Sequence, residues 1–153
     1  MAFVLFAHML GIAMWIGGEL AGMMVGYGAR GEAPQVKAGA YRLISRLYTM
    51  IIGVGALVVL GTGVLLTMSL YSGGLGDLVQ DARLWVMILA GLAAGLLVLF
   101  VGMPTASRMG ALAVASEQGE FPAGFEVYRK RQAVLSKLSA GLAVVALLAW
   151  YVL

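Results

Sequence analysis

The 153-residue chain contains no cysteine. That absence excludes disulfides, thiolate metal sites, iron–sulfur clusters and covalent c-type haem attachment. Charge is scarce as well: Asp, Glu, Lys and Arg make up 11% of the residues, against roughly 25% in an ordinary soluble domain. So few charges cannot cover a soluble surface. The sequence also lacks a nucleophile–histidine–acid set, a phosphate-binding glycine loop and a helix with paired metal-ligand spacing.

Apolar residues fill the space that charge leaves, at 62% of the chain and a mean hydropathy of +0.98. The expected fold is all-α: a single integral membrane domain, residues 1–153, built as a four-helix bundle. A spanning helix takes ~20 apolar residues, so four of them leave no room for a separate soluble domain. The spans are expected at about 2–25, 47–70, 84–103 and 138–153. The N-terminus has no Lys/Arg-rich leader region and no clean small-residue cleavage site, so the first apolar stretch is expected to be a retained helix.

Only His8 and Glu19 interrupt that first helix. Gly26 to Ala33 read as a polar turn, and Pro34 sits where a first-turn proline belongs. Val36, Ala40, Leu43, Ile44, Leu47 and Tyr48 recur at helical spacing, so the second helix begins before its apolar part. Tyr71 to Gly76 read as a turn and Asp77 to Arg83 as a short polar link. Pro104 is expected to kink the third helix, which continues through an Ala-rich stretch to Ser116. Gln118 to Gly124 form the next break. The fourth helix starts near Phe125 and passes through Arg129, Lys130, Arg131 and Lys137 before turning apolar.

The basic residues predict the topology. Arg30, Lys37, Arg42 and Arg46 lie between helices 1 and 2, and Arg108, Arg129, Lys130, Arg131 and Lys137 between helices 3 and 4. Only Arg83 lies between helices 2 and 3. The positive-inside rule then puts both termini outside and extends helices 2 to 4 into the cytoplasm of a bacterial-type inner membrane. Trp85, Trp150 and Tyr151 fall at the outer interface, where aromatic rings settle. The net charge of +3 therefore points to phospholipid headgroups and not to nucleic acid.

Glycine is abundant, at 22 residues. Gly18, Gly22 and Gly26 fall four apart in helix 1, and Gly91 and Gly95 in helix 3, a spacing that lets helix backbones approach closely. The faces serve packing inside the bundle or contact with a second copy or a larger membrane complex.

His8 is the one histidine and lies within a span. Intramembrane ionisable groups are costly and so are candidate functional residues. Ile12, Trp15 and Glu19 share its face, flanked by Gly11 and Gly22. The outer ends of the other helices bring Met68, Arg83, Trp85, Met87 and Trp150 to its level. Two sites fit such a set. One is haem b with His8 as axial ligand, Met68 or Met87 opposite and Arg83 near the propionates. Gly11 would then make room for the macrocycle and Trp15 wall its lower edge. The other is a Cu(I) site of His and Met ligands. The plain alternative, with no cofactor, is a neutral histidine hydrogen-bonded to a helix carbonyl. Glu19 lies too deep to stay unpaired, so Arg46, Arg42 or Lys137 is expected beside it in a structural ion pair. A proton relay, or a charged group on a lipid-soluble substrate, is the other use for such a carboxylate.

The stretch from His8 through Trp15 to Gly18 resembles the first-helix signature of a loose group of small bacterial membrane proteins. The group comprises an uncharacterised family of predicted integral membrane proteins, the copper-resistance D family and the HemJ-type protoporphyrinogen oxidases. Arg46-Leu47-Tyr48 before helix 2 and Trp85 opening helix 3 look similar too. The resemblance implies a haem-binding or metal-linked role for His8. The sequence departs from the HemJ pattern in having no second histidine and no lysine within Arg83–Met87, which leaves the uncharacterised relatives as the nearer match. The expected function is a haem-b-binding inner-membrane protein in electron transfer or tetrapyrrole-linked redox chemistry. The alternatives are a non-catalytic accessory or assembly subunit of a membrane complex and a copper-handling protein.

Overall fold

The computed structural model describes residues 1–70, 81–115 and 120–152, and these are all-helical apart from short turns. Helix α1 spans Ala2–Gly28 and ends in a 3-10 turn, Ala29–Gly31. Helix α2, Pro34–Leu47, opens on its proline as expected and passes through a π-helical turn, Tyr48–Ile52, into α3, Gly53–Leu70. Helix α4, Ala82–Leu96, continues through a second π turn, Leu97–Gly102, into α5, Met103–Ala115. Helix α6 spans Phe125–Val152. Four continuous helices are thus long and apolar enough to cross a membrane. The outside of the bundle is apolar to match: Phe3, Met24 and Phe100 are 79%, 76% and 73% exposed. The expected turn at Tyr71–Gly76 and most of the following link lie outside the described residues, as does the first part of the break before α6.

Local chemistry explains the helix ends. The Asp81 carboxylate caps α4 by accepting from the backbone N–H groups of Arg83 and Leu84 at 3.0 and 3.3 Å. Gly124 turns the chain into α6 at φ +94°, a conformation that favours glycine. Phe125 then anchors the helix, stacked on Phe121 with centroids 4.2 Å apart and edge-on to Tyr41 at 5.1 Å.

Both π turns take up backbone irregularity that the sequence reading misses. The ring of Pro104 removes one N–H from the helical ladder. The turn before it widens, and the Met103 N–H reaches back to the Val98 carbonyl. In the first π turn the Gly53 N–H reaches the Tyr48 carbonyl. There the Thr49 hydroxyl takes up the Ser45 and Arg46 carbonyls at 3.1 and 3.2 Å.

Neighbouring helices run antiparallel, α1 against α3 and α4 against α6, with α2 against α5 at the basic end. Glycine sets their closeness, though only partly at the expected positions. A Cβ on Gly55 would lie 2.8 Å from the Gly11 carbonyl oxygen and 2.9 Å from the Trp15 nitrogen, so the α1–α3 crossing requires glycine there. Gly18 fits against Ile52, and Gly95 against Leu60. Gly22, expected on a packing face, has nothing within 4 Å of such a Cβ. It borders open space.

Candidate functional site

That space adjoins a buried polar network. Glu19 is 0% exposed, on the inner face of α1. Its Oε1 accepts from the Tyr48 hydroxyl at 2.7 Å and the Ser139 hydroxyl at 2.8 Å, and its Oε2 accepts from the Ser136 hydroxyl. Trp15 Nε1–H donates to the Ser139 oxygen at 3.1 Å. Two serines and a tyrosine thus converge on one carboxylate, with the indole behind one of the serines.

The expected cationic partner is corrected here: three hydroxyls stand where an arginine or lysine was anticipated. The reason is angular. Arg46 precedes Tyr48 by two residues, about 200° around the helix, so turning Tyr48 inward turns Arg46 out, and Arg46 is exposed. Arg42 is half-buried on α2, and Lys137 is exposed on α6. The first π turn fixes the tyrosine. Its ring packs on the second π turn, where a Cβ on Gly102 would come within 2.8 Å of Tyr48 Cε1. π turns recur at functional sites, and here two of them meet at the same tyrosine.

Toward the basic end the network opens into a cavity of about 90 Å³. Its buried floor is formed by Tyr41, Ile44, Tyr48, Met109, Gln132 and Ser136. Its exposed rim is formed by Tyr27 and Arg30 on one side and Ala133 and Lys137 on the other, so the mouth lies between α1 and α6. Gln132 is 4% exposed, and neither its amide nitrogen nor its amide oxygen makes a hydrogen bond with a described residue. Its neighbour, the Tyr48 hydroxyl, already gives its proton to Glu19. Arg129, also lining the cavity, is held on its outer side by Glu126 through a bidentate ion pair at 2.7–3.0 Å.

His8 occupies the other end of the bundle, about 16 Å along the axis from Glu19. It is half-buried, and its Nδ1 lies 2.8 Å from the Thr62 hydroxyl oxygen. The Thr62 hydroxyl also bonds the Val58 carbonyl, so it ties the His8 ring to the backbone of α3. The room sought beside Gly11 is taken by the backbone of α3 at Gly55. Trp15 is turned into the core at 2% exposure, Met68 is 68% exposed, Arg83 is exposed, Met87 is half-buried, and Trp85 is 38% exposed. The close approach of α1 and α3 at Gly11 and Gly55 leaves no room for a macrocycle at that crossing. Among the described residues no cluster of three His, Cys, Asp or Glu side chains forms a metal site.

No family model, curated protein or solved structure matches the chain. The site therefore rests on its own geometry. The sequence reading found Glu19 and missed Tyr48, Gln132, Ser136 and Ser139 as its surroundings. A signal was present: Gln132, Ser136 and Ser139, spaced four and three apart, form one polar stripe along a helix.

Proposed function

We propose that the chain is a multi-pass protein of a bacterial inner membrane whose working part is this polar site. There it holds a small polar molecule, or the polar end of a membrane-soluble one. The positive-inside rule supports an orientation with the Arg30–Lys137 end in the cytoplasm and both termini outside. The observation that carries the reading is Gln132. A buried amide with no partner costs on the order of 1–3 kcal/mol per unsatisfied group, and this one borders a cavity shared with two of the donors to Glu19. A ligand that accepts from the amide nitrogen and donates to its oxygen removes that cost. Glu19 serves as the fixed acceptor that orients the Tyr48 and Ser136 hydroxyls at the cavity wall. Native mass spectrometry of protein released from membranes tests this. Wild type should retain a small molecule that Gln132→Leu lacks; identical ligand content in the two would contradict it.

A second reading places haem b or Cu(I) on His8 and makes the chain an electron-transfer, tetrapyrrole-linked or copper-handling protein. Thr62 favours it, because a hydrogen bond on one ring nitrogen is what orients a histidine that ligates through the other. A visible absorption spectrum decides: a Soret band lost in His8→Ala supports the reading, and a colourless wild type removes it. A chain with neither ligand nor chromophore fits the accessory-subunit role.

A further inference from the structure

We infer that the ligand of the Gln132 cavity is an anionic amphiphile, a phosphate-type head on a hydrocarbon tail that lies between α1 and α6. The inference rests on the reading of this cavity as a binding site and adds its chemistry. Three cationic side chains, Arg30, Arg129 and Lys137, line the cavity. One acid, Glu126, balances them from outside by pairing with Arg129. Arg30 is held near the mouth by its stacking on Tyr27, 4.1 Å from the ring centroid. An anion at the mouth meets Arg30 and Lys137, while the Gln132 amide nitrogen supplies a buried donor. The Tyr48 and Ser136 hydroxyls, both already committed to Glu19, set the inner limit of the head group.

The shape of the site argues for a tail. A cavity of about 90 Å³ takes a head group and little else. Its mouth lies on the side of the bundle, where Met23 and the exposed face of Ala133 offer apolar contact. The open space at Gly22 widens this gap between the two helices. A soluble anion has no use for such a lateral slot. An alkyl chain does.

The test uses the full chain purified in a neutral glycoside detergent and titrated calorimetrically with dodecyl phosphate, inorganic phosphate and dodecyltrimethylammonium. Dodecyl phosphate should bind saturably at one per chain, and the other two should not. Lys137→Gln should weaken binding about tenfold, the loss of one charge-assisted contact, and Lys137→Arg should restore it. Gly22→Leu should abolish it by filling the gap. Inorganic phosphate binding as tightly as dodecyl phosphate would overturn the tail, and the ammonium compound binding equally well would overturn the anionic head. If Gly22→Leu and Gln132→Leu still abolish binding in that last case, the cavity remains a ligand site and only its assigned chemistry fails. If neither substitution affects any of the three probes, the binding-site reading falls too.

Discussion

Glu19, on α1, is held by hydroxyls from two other helices, and each of its donors is committed to it. Removing one leaves the carboxylate short of a partner in a place water does not reach. Tyr48→Phe keeps the ring that fills the space against Gly102 and deletes only the hydroxyl. It should cost about 1–3 kcal/mol, seen as a lower midpoint in detergent unfolding; an unchanged midpoint would mean that the hydroxyl does not hold the acid. The glycines separate just as sharply. Gly55→Ala drives a methyl into the backbone of α1 and should destabilise by about 1–3 kcal/mol. Gly22→Ala meets open space and should stay within about 0.5 kcal/mol of wild type. Equal effects in the same unfolding assay would contradict the assignment of one glycine to packing and the other to the cavity. Sequence spacing alone ranks these positions the wrong way round, because a four-residue repeat marks a face but not what stands opposite it.

Among the elements, the long helices are the most legible. Pro34 at its first turn, the apolar runs and the start of α6 at Phe125 all appear where periodicity places them. The π turns do not announce themselves. Pro104 signals a missing hydrogen bond, and the chain answers by widening the preceding turn; nothing comparable precedes Tyr48. The candidate site was half legible for the same reason. An isolated acid in an apolar run is conspicuous, whereas its hydroxyl partners are ordinary residues brought together only by packing. At the basic end, α2, α5 and the start of α6 share a small core around Phe125, which is 1% exposed against Tyr41, Ile44 and Met109. Phe125→Ala should cost about 3–5 kcal/mol and loosen this end first. Amide exchange that rises at residues 38–48 and 105–113 while the opposite end stays protected would bear this out; a uniform rise would not.

Over the whole molecule, two polar sites lie at opposite ends of an apolar bundle. The basic residues gather at one of them. At this basic end the cavity, with its mouth between α1 and α6, should favour negative charge and, in the proposed orientation, be reached from the cytoplasmic side. The chain has no native cysteine, so a single introduced thiol reports without background. Gly22→Cys puts that thiol at the cavity wall with room for its side chain. The measurement is its rate of modification, in vesicles of known orientation, by two small membrane-impermeant methanethiosulfonates, one anionic and one cationic. Reaction is expected from the cytoplasmic face alone, with the anionic reagent favoured by about tenfold over its ratio with a free thiol, as for a cleft lined by one sign of charge. Reaction from the outer face, or a preference for the cationic reagent, would contradict it.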